Sequence, residues 1–143
     1  MSNNEVRIPK QKRSIEKKEA IIKASYTLFC ERGYYKTNTA EIAKMAGVST
    51  GIVYSYFQDK KDIFIEVVKL YISRLNEQFQ PILTFLDHER DLVLVITKFI
   101  DAAISSHQMN CDAHNEFLAS VLLNADIKNL FDEFEEEILS IFL

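Results

Sequence analysis

Thr39-Ala-Glu-Ile-Ala-Lys-Met-Ala-Gly-Val-Ser-Thr-Gly-Ile-Val-Tyr-Ser-Tyr-Phe57 holds two short helical patterns on either side of a glycine. Ile42, Ala43 and Ala46 recur at the spacing of one helix face. Gly47 ends that pattern, because glycine alone enters left-handed backbone at little cost. Ser49 then stands where a hydroxyl caps a new helix. Ile42, Ala46, Val48, Val53 and Phe57 supply a shared apolar seam, and Ala43 is small enough for the two helices to cross closely. These are the physical requirements of a helix-turn-helix. In such a unit the second helix presents its leading residues to base edges in a DNA major groove. Ser49 and Thr50 occupy that end. Tyr54 and Tyr56 can offer hydroxyls to phosphates or stack against sugars, while Phe57 reads as core.

The pattern continues outward as helix. Asn38 or Thr39 is the expected cap of the first short helix, and Asn38 with Glu41 three residues later resembles a capping box. Upstream, Ile21, Ala24, Ser25 and Leu28 mark an earlier helix, with Ser14 as its expected cap and Gly33 as its expected stop. Residues 1–13 are polar, hold Pro9, and carry Arg7, Lys10, Lys12 and Arg13. They read as a flexible basic arm able to follow a phosphate backbone or enter a minor groove. Downstream, Asp59 and Asp62 open a long helix bearing Ile63, Val67, Leu70, Tyr71 and Leu75. Pro81 is expected to limit it near Gln80. Further helices are expected at about 89–106, 112–124 and 126–143. The reading is all-α: an arm over 1–13, a three-helix head over 14–59, and a helical body over 60–143.

Composition agrees with that reading. Three Gly and two Pro among 143 residues are too few for a turn-rich β fold. No apolar run approaches the length of a membrane span, and the polar N-terminus lacks a secretory core. Two cysteines, Cys30 and Cys111, give no disulfide framework, so a reducing cytoplasm is the expected compartment. Cys30 itself reads as buried packing in the first helix. Residues 1–61 hold twelve Lys/Arg against six Asp/Glu, whereas residues 62–143 hold five against fifteen. The net charge of −4 therefore conceals a basic head and an acidic body. Only the head suits a polyanion.

From about Ser14 to Val67 the chain resembles the DNA-binding domain of the TetR family. The resemblance rests on Leu28-Phe-Cys-Glu-Arg-Gly33-Tyr, Thr39, Ile42-Ala43, Ala46-Gly47-Val48-Ser49, Gly51, Tyr54-Ser-Tyr56-Phe57, Lys60 and Ile63. It implies that Thr39 bonds a phosphate from the start of its helix, and that Ser49, Thr50 and Gly51 face the groove. It also implies backbone or base contacts from Tyr54 and Tyr56, and a phosphate contact from Lys60. Two positions depart from the family pattern. Ile52 stands where many members carry Thr, exchanging a hydroxyl for a group able to meet a thymine methyl. Thr50 replaces a frequently basic residue. The resemblance further implies a dimeric repressor that leaves operator DNA when a small molecule binds the body. Candidate lining residues are Tyr71, Phe79, Phe85, Phe99, Phe117 and Leu118, although aromatic stripes at this spacing also build ordinary cores.

Other chemistries find less in the sequence. His107, Cys111 and His114 have the i, i+4, i+7 spacing of one helix face and the donor types of zinc or copper sites. A metal-responsive regulator is one alternative, but the polar run Ser105 to Asp112 looks like a helix junction that would scatter the three. The other alternative is a helical interaction module that never meets DNA, in which Thr50 and Tyr54 would be buried. There is no Gly-rich phosphate loop and no nucleophile elbow, so no enzyme and no cofactor are expected. The acidic run Asp132 to Glu137 reads as a solvated face. Leu143 falls inside an amphipathic run, and the body is expected to be incomplete, with dimerisation a property of a longer protein.

Overall fold

Helix-forming residues dominate the chain, and the computed structural model is helical wherever secondary structure is assigned. It describes residues 3–86, 91–108, 119 and 123–142. Six helices are present among them: α1 (Asn3–Arg32), α2 (Thr39–Ala46), α3 (Thr50–Tyr56), α4 (Lys60–Leu86), α5 (Leu92–Gln108) and α6 (Ala125–Phe142). No strand occurs among the described residues. The chain divides into two units, a head of residues 1–67 and a body of residues 68–143.

The head core forms where the apolar faces of α1, α2 and α3 meet the first two turns of α4. Ile21, Leu28, Phe29, Ile42, Val53, Ile63 and Val67 are all essentially removed from solvent. Each such side chain contributes roughly 1.5–3 kcal/mol relative to exposure. Phe29, Tyr34 and Phe64 form an aromatic cluster, with ring centroids 4.9–5.7 Å apart. Buried polar groups in the head are bonded. The Ser25 hydroxyl donates to the Ile21 carbonyl at 2.7 Å, and the Thr37 hydroxyl to the Gly33 carbonyl at 2.9 Å. Cys30 is half-buried rather than buried.

Two helix ends differ from the sequence reading. Helix α1 begins at Asn3, so the stretch read as a flexible arm is helical and Ser14 lies within the helix rather than capping it. Lys10, Gln11, Lys12 and Arg13 are straight-chain residues that lose little rotamer freedom in a helix. Helix α4 continues to Leu86 with Pro81 inside it. Phe79 and Ile82 on either side of Pro81 are buried, while Pro81 is exposed. Packing of these neighbours offsets the hydrogen bond that proline cannot make.

Within the body, Phe79 and Phe99 stack at 5.1 Å, and Tyr71 meets Phe131 at 6.4 Å. The Gln78 side-chain amide donates to the Ala102 carbonyl at 3.0 Å, pinning α4 to α5. Val95 and Ile127 are buried. The expected apolar stripe of α5 is only partly covered: Leu92, Ile96 and Ile100 are exposed. The expected helix over 112–124 lies almost wholly outside the described residues. No helix among the described residues is long and apolar enough to cross a membrane.

Candidate nucleic-acid interface

The turn between α2 and α3 is built from local signals. The Asn38 side chain accepts the Glu41 N–H at 2.9 Å, and the Glu41 carboxylate accepts the Asn38 N–H at 3.2 Å. This reciprocal box satisfies two N–H groups that the first turn of α2 leaves open. A charged bridge from Arg32 to Glu41, 2.7 Å, connects the box to the end of α1. Gly47 ends α2 with φ 71°, a left-handed conformation that disfavours any side chain. The Val48 N–H returns to the Ala43 carbonyl at 3.0 Å, closing the turn. Ser49 then caps α3, its hydroxyl accepting the Ile52 N–H at 3.2 Å.

Helix α3 is amphipathic on a small scale. Val53 is fully buried and Phe57, its C-cap, nearly so. Ser49, Thr50, Gly51, Tyr54 and Ser55 are exposed, and Ile52 is half-exposed. Tyr54 keeps 55% of its surface open. Its hydroxyl lies 3.4 Å from the Thr39 hydroxyl at the start of α2. Two hydroxyls from two helices thereby share one exposed spot beside the leading end of α3. Ser49 is committed to its cap, so Thr50 carries the freer hydroxyl there.

Two expected contact residues occupy different surroundings. Tyr56 is half-buried, and its hydroxyl meets the Ser14 hydroxyl of α1 at 2.9 Å. The Lys60 ammonium donates to the carbonyls of Tyr34, at 2.8 Å, and Thr37, at 3.1 Å. It also lies 4.2 Å from the centroid of the Tyr34 ring. Both side chains are bonded within the head. Sequence spacing gave no sign of these pairs, because their partners are 42, 26 and 23 residues away. Lys18, 5.7 Å from the Phe57 ring, is another unforeseen contact between α1 and the end of α3. Burial, followed by the charges of Asp59 and Tyr35, raises the Tyr34 phenol above its ordinary value.

Residues 21–67 match the family model described as bacterial regulatory proteins, tetR family. By this match residues 21–67 are a TetR-family segment. The TetR match contains every residue of the turn described above and stops where the head stops. The transcriptional regulator HbdR of Aromatoleum sp. is 38% identical over 73 residues, covering 51% of this chain and 32% of that protein. The fatty acid metabolism regulator protein of Bacillus subtilis is 35% identical over 104 residues, covering 70% of this chain and 51% of that one. The matched stretch thus spans about a third to a half of these curated relatives. Among solved structures, a TetR-family regulator from Mesorhizobium loti superposes with a TM-score of 0.70 at 27% identity, covering 87% of this chain and 61% of that one.

The candidate effector residues are spread over the body. Phe79 is buried, and Tyr71, Phe85 and Phe99 are half-buried. A shallow groove of about 360 Å³ runs along Pro81, Ile82, Phe85, Lys98 and Asp101, with the Lys98 ammonium 5.0 Å from the Phe85 ring. Tyr71, Phe79 and Phe99 do not line it. Phe117 and Leu118 lie outside the described residues, as do Cys111, His114 and the side chain of His107. No cluster of three metal-ligating side chains occurs among the described residues.

Proposed function

We propose that the protein is a sequence-specific DNA-binding transcription regulator, a repressor that releases its operator when a small molecule occupies the body. The exposed leading face of α3 supports this reading most directly. Thr50, Gly51 and the half-exposed Ile52 are open to a base edge, while Val53 anchors the helix from behind. Thr39 and Tyr54 together present two hydroxyls suited to one phosphate. Exposure of Thr50 and Tyr54 counts against a module whose helix-turn-helix serves only packing.

Phosphate contacts from a basic head supply affinity and make it salt-dependent, while base contacts supply choice. Two heads of a homodimer would enter successive major grooves about 34–36 Å apart. Release requires only that the effector favour a conformation of the body unsuited to the operator-bound state. The alignment with the fatty acid metabolism regulator covers more residues than the head contains, so it reaches into the body. Fatty-acyl compounds are therefore the first effectors to assay.

Gel-shift titration against the DNA upstream of the protein's own gene, at several salt concentrations, tests the reading. A discrete complex that outcompetes random duplex and weakens steeply with salt is expected. Equal affinity for random duplex would overturn it.

A further inference from the structure

We propose that Arg13 and Lys17 of α1 bind phosphates of the duplex backbone at the border of the groove that receives α3. The inference rests on the duplex-binding reading above. Eleven residues make about three turns of α-helix, so residues that far apart share a face. Arg13, Ser14, Lys17 and Lys18 stand eleven positions ahead of Ala24, Ser25, Leu28 and Phe29, which are all buried in the head. The face of α1 that packs on the core therefore turns polar and basic three turns upstream. Two of the four residues lie against the end of α3. The Ser14 hydroxyl meets that of Tyr56 at 2.9 Å, and the Lys18 ammonium lies 5.7 Å from the Phe57 ring. The other two, Arg13 and Lys17, are exposed. Neither pairs with a carboxylate among the described residues, Glu16 one turn on from Arg13 included. The seven residues of α3 span about 10 Å, close to the major-groove width of about 12 Å. With Thr50 at a base edge, the Tyr56 end and the α1 face beside it stand at the phosphates that border the groove. Long cationic side chains there add affinity without reading sequence.

The test uses a duplex enriched by the wild-type protein from a randomised pool, at a temperature where circular dichroism shows each variant folded. Arg13→Gln with Lys17→Gln should weaken binding at least about tenfold near 0.1 M salt. The slope of log affinity against log salt should become shallower by about 0.9 for each lost contact in each bound protomer. Preference for the enriched duplex over random duplex should stay nearly constant, because phosphates carry no sequence. Arg13→Lys with Lys17→Arg should keep the wild-type slope. Lys12 and Lys23, also eleven positions apart, are exposed on the side of α1 turned away from the core. Lys12→Gln with Lys23→Gln removes the same charge and should leave the slope unchanged. Should the Arg13 and Lys17 pair fail to fold, each single glutamine variant replaces it, with about half the change expected.

An unchanged slope in the folded Arg13 and Lys17 variant would overturn the proposal while leaving the duplex-binding reading intact. An equal loss of slope in the Lys12 and Lys23 variant would also overturn it, by showing that total charge rather than this face sets the salt dependence. Failure of the wild-type protein to enrich any sequence would sink that reading and the role of Arg13 and Lys17 together.

Discussion

The hydroxyls of Tyr56 and Ser14 meet at 2.9 Å, tying the last residue of α3 to the middle of α1. A residue whose family counterpart would be expected at DNA is thus bonded inside the head. Tyr56→Phe should cost about 0.5–1.5 kcal/mol of stability, the net worth of one such bond. Ser14→Ala should cost a similar amount, and the double variant less than their total. Urea midpoints at unchanged slope measure all three. Strict additivity would show that the two hydroxyls act separately.

Gly47 tests the turn. Its φ of 71° disfavours a side chain, yet a Cβ placed there meets nothing within 4 Å. Gly47→Ala should therefore destabilise through backbone strain alone, by about 1–2 kcal/mol. Gly47→Asn should cost less, since asparagine tolerates the left-handed region. Thermal melts of the two variants give the order; equal losses would mean that steric contact matters after all.

Pro81 gives a prediction of opposite sign. It sits exposed inside α4, where it removes a helix hydrogen bond. Pro81→Ala should raise stability by about 1–3 kcal/mol. Denaturant unfolding would show the gain as a higher midpoint. A lowered midpoint would mean that the proline favours the native state by restricting the unfolded chain.

Tyr34 couples stability to alkaline pH. Its folded phenol titrates above the ordinary value near 10, mainly because burial disfavours the phenolate. The unfolded chain then loses this proton first, so stability should be constant below about pH 10 and fall as pH rises toward the folded value. Tyr34→Phe should flatten that part of the profile. The same slope in the variant would assign the alkaline loss to other groups.

The helix-turn-helix was legible because its signals are local. The Asn38–Glu41 box, the Gly47 turn and the Ser49 cap each depend on residues within a few positions of one another. The all-helical fold followed from periodicity and the scarcity of glycine and proline. Helix α1 runs back to Asn3 through Pro9, and tertiary packing carried α4 past Pro81, so neither boundary followed the breaker rules. The surroundings of Tyr56 and Lys60 were illegible for a different reason. Their partners come from distant parts of the chain, and a hydroxyl or ammonium looks the same in sequence whether it turns inward or outward. On α5 the periodic stripe was real, but periodicity does not say how much of a face is covered.

Titration of an isotope-labelled sample with its enriched duplex, followed by amide and methyl resonances, tests the central claim most directly. The largest perturbations should fall at Thr39 and from Ser49 to Tyr54, including the Ile52 methyl groups, and should vanish with a scrambled duplex. Perturbations confined to α5 and α6, or identical for both duplexes, would contradict the account.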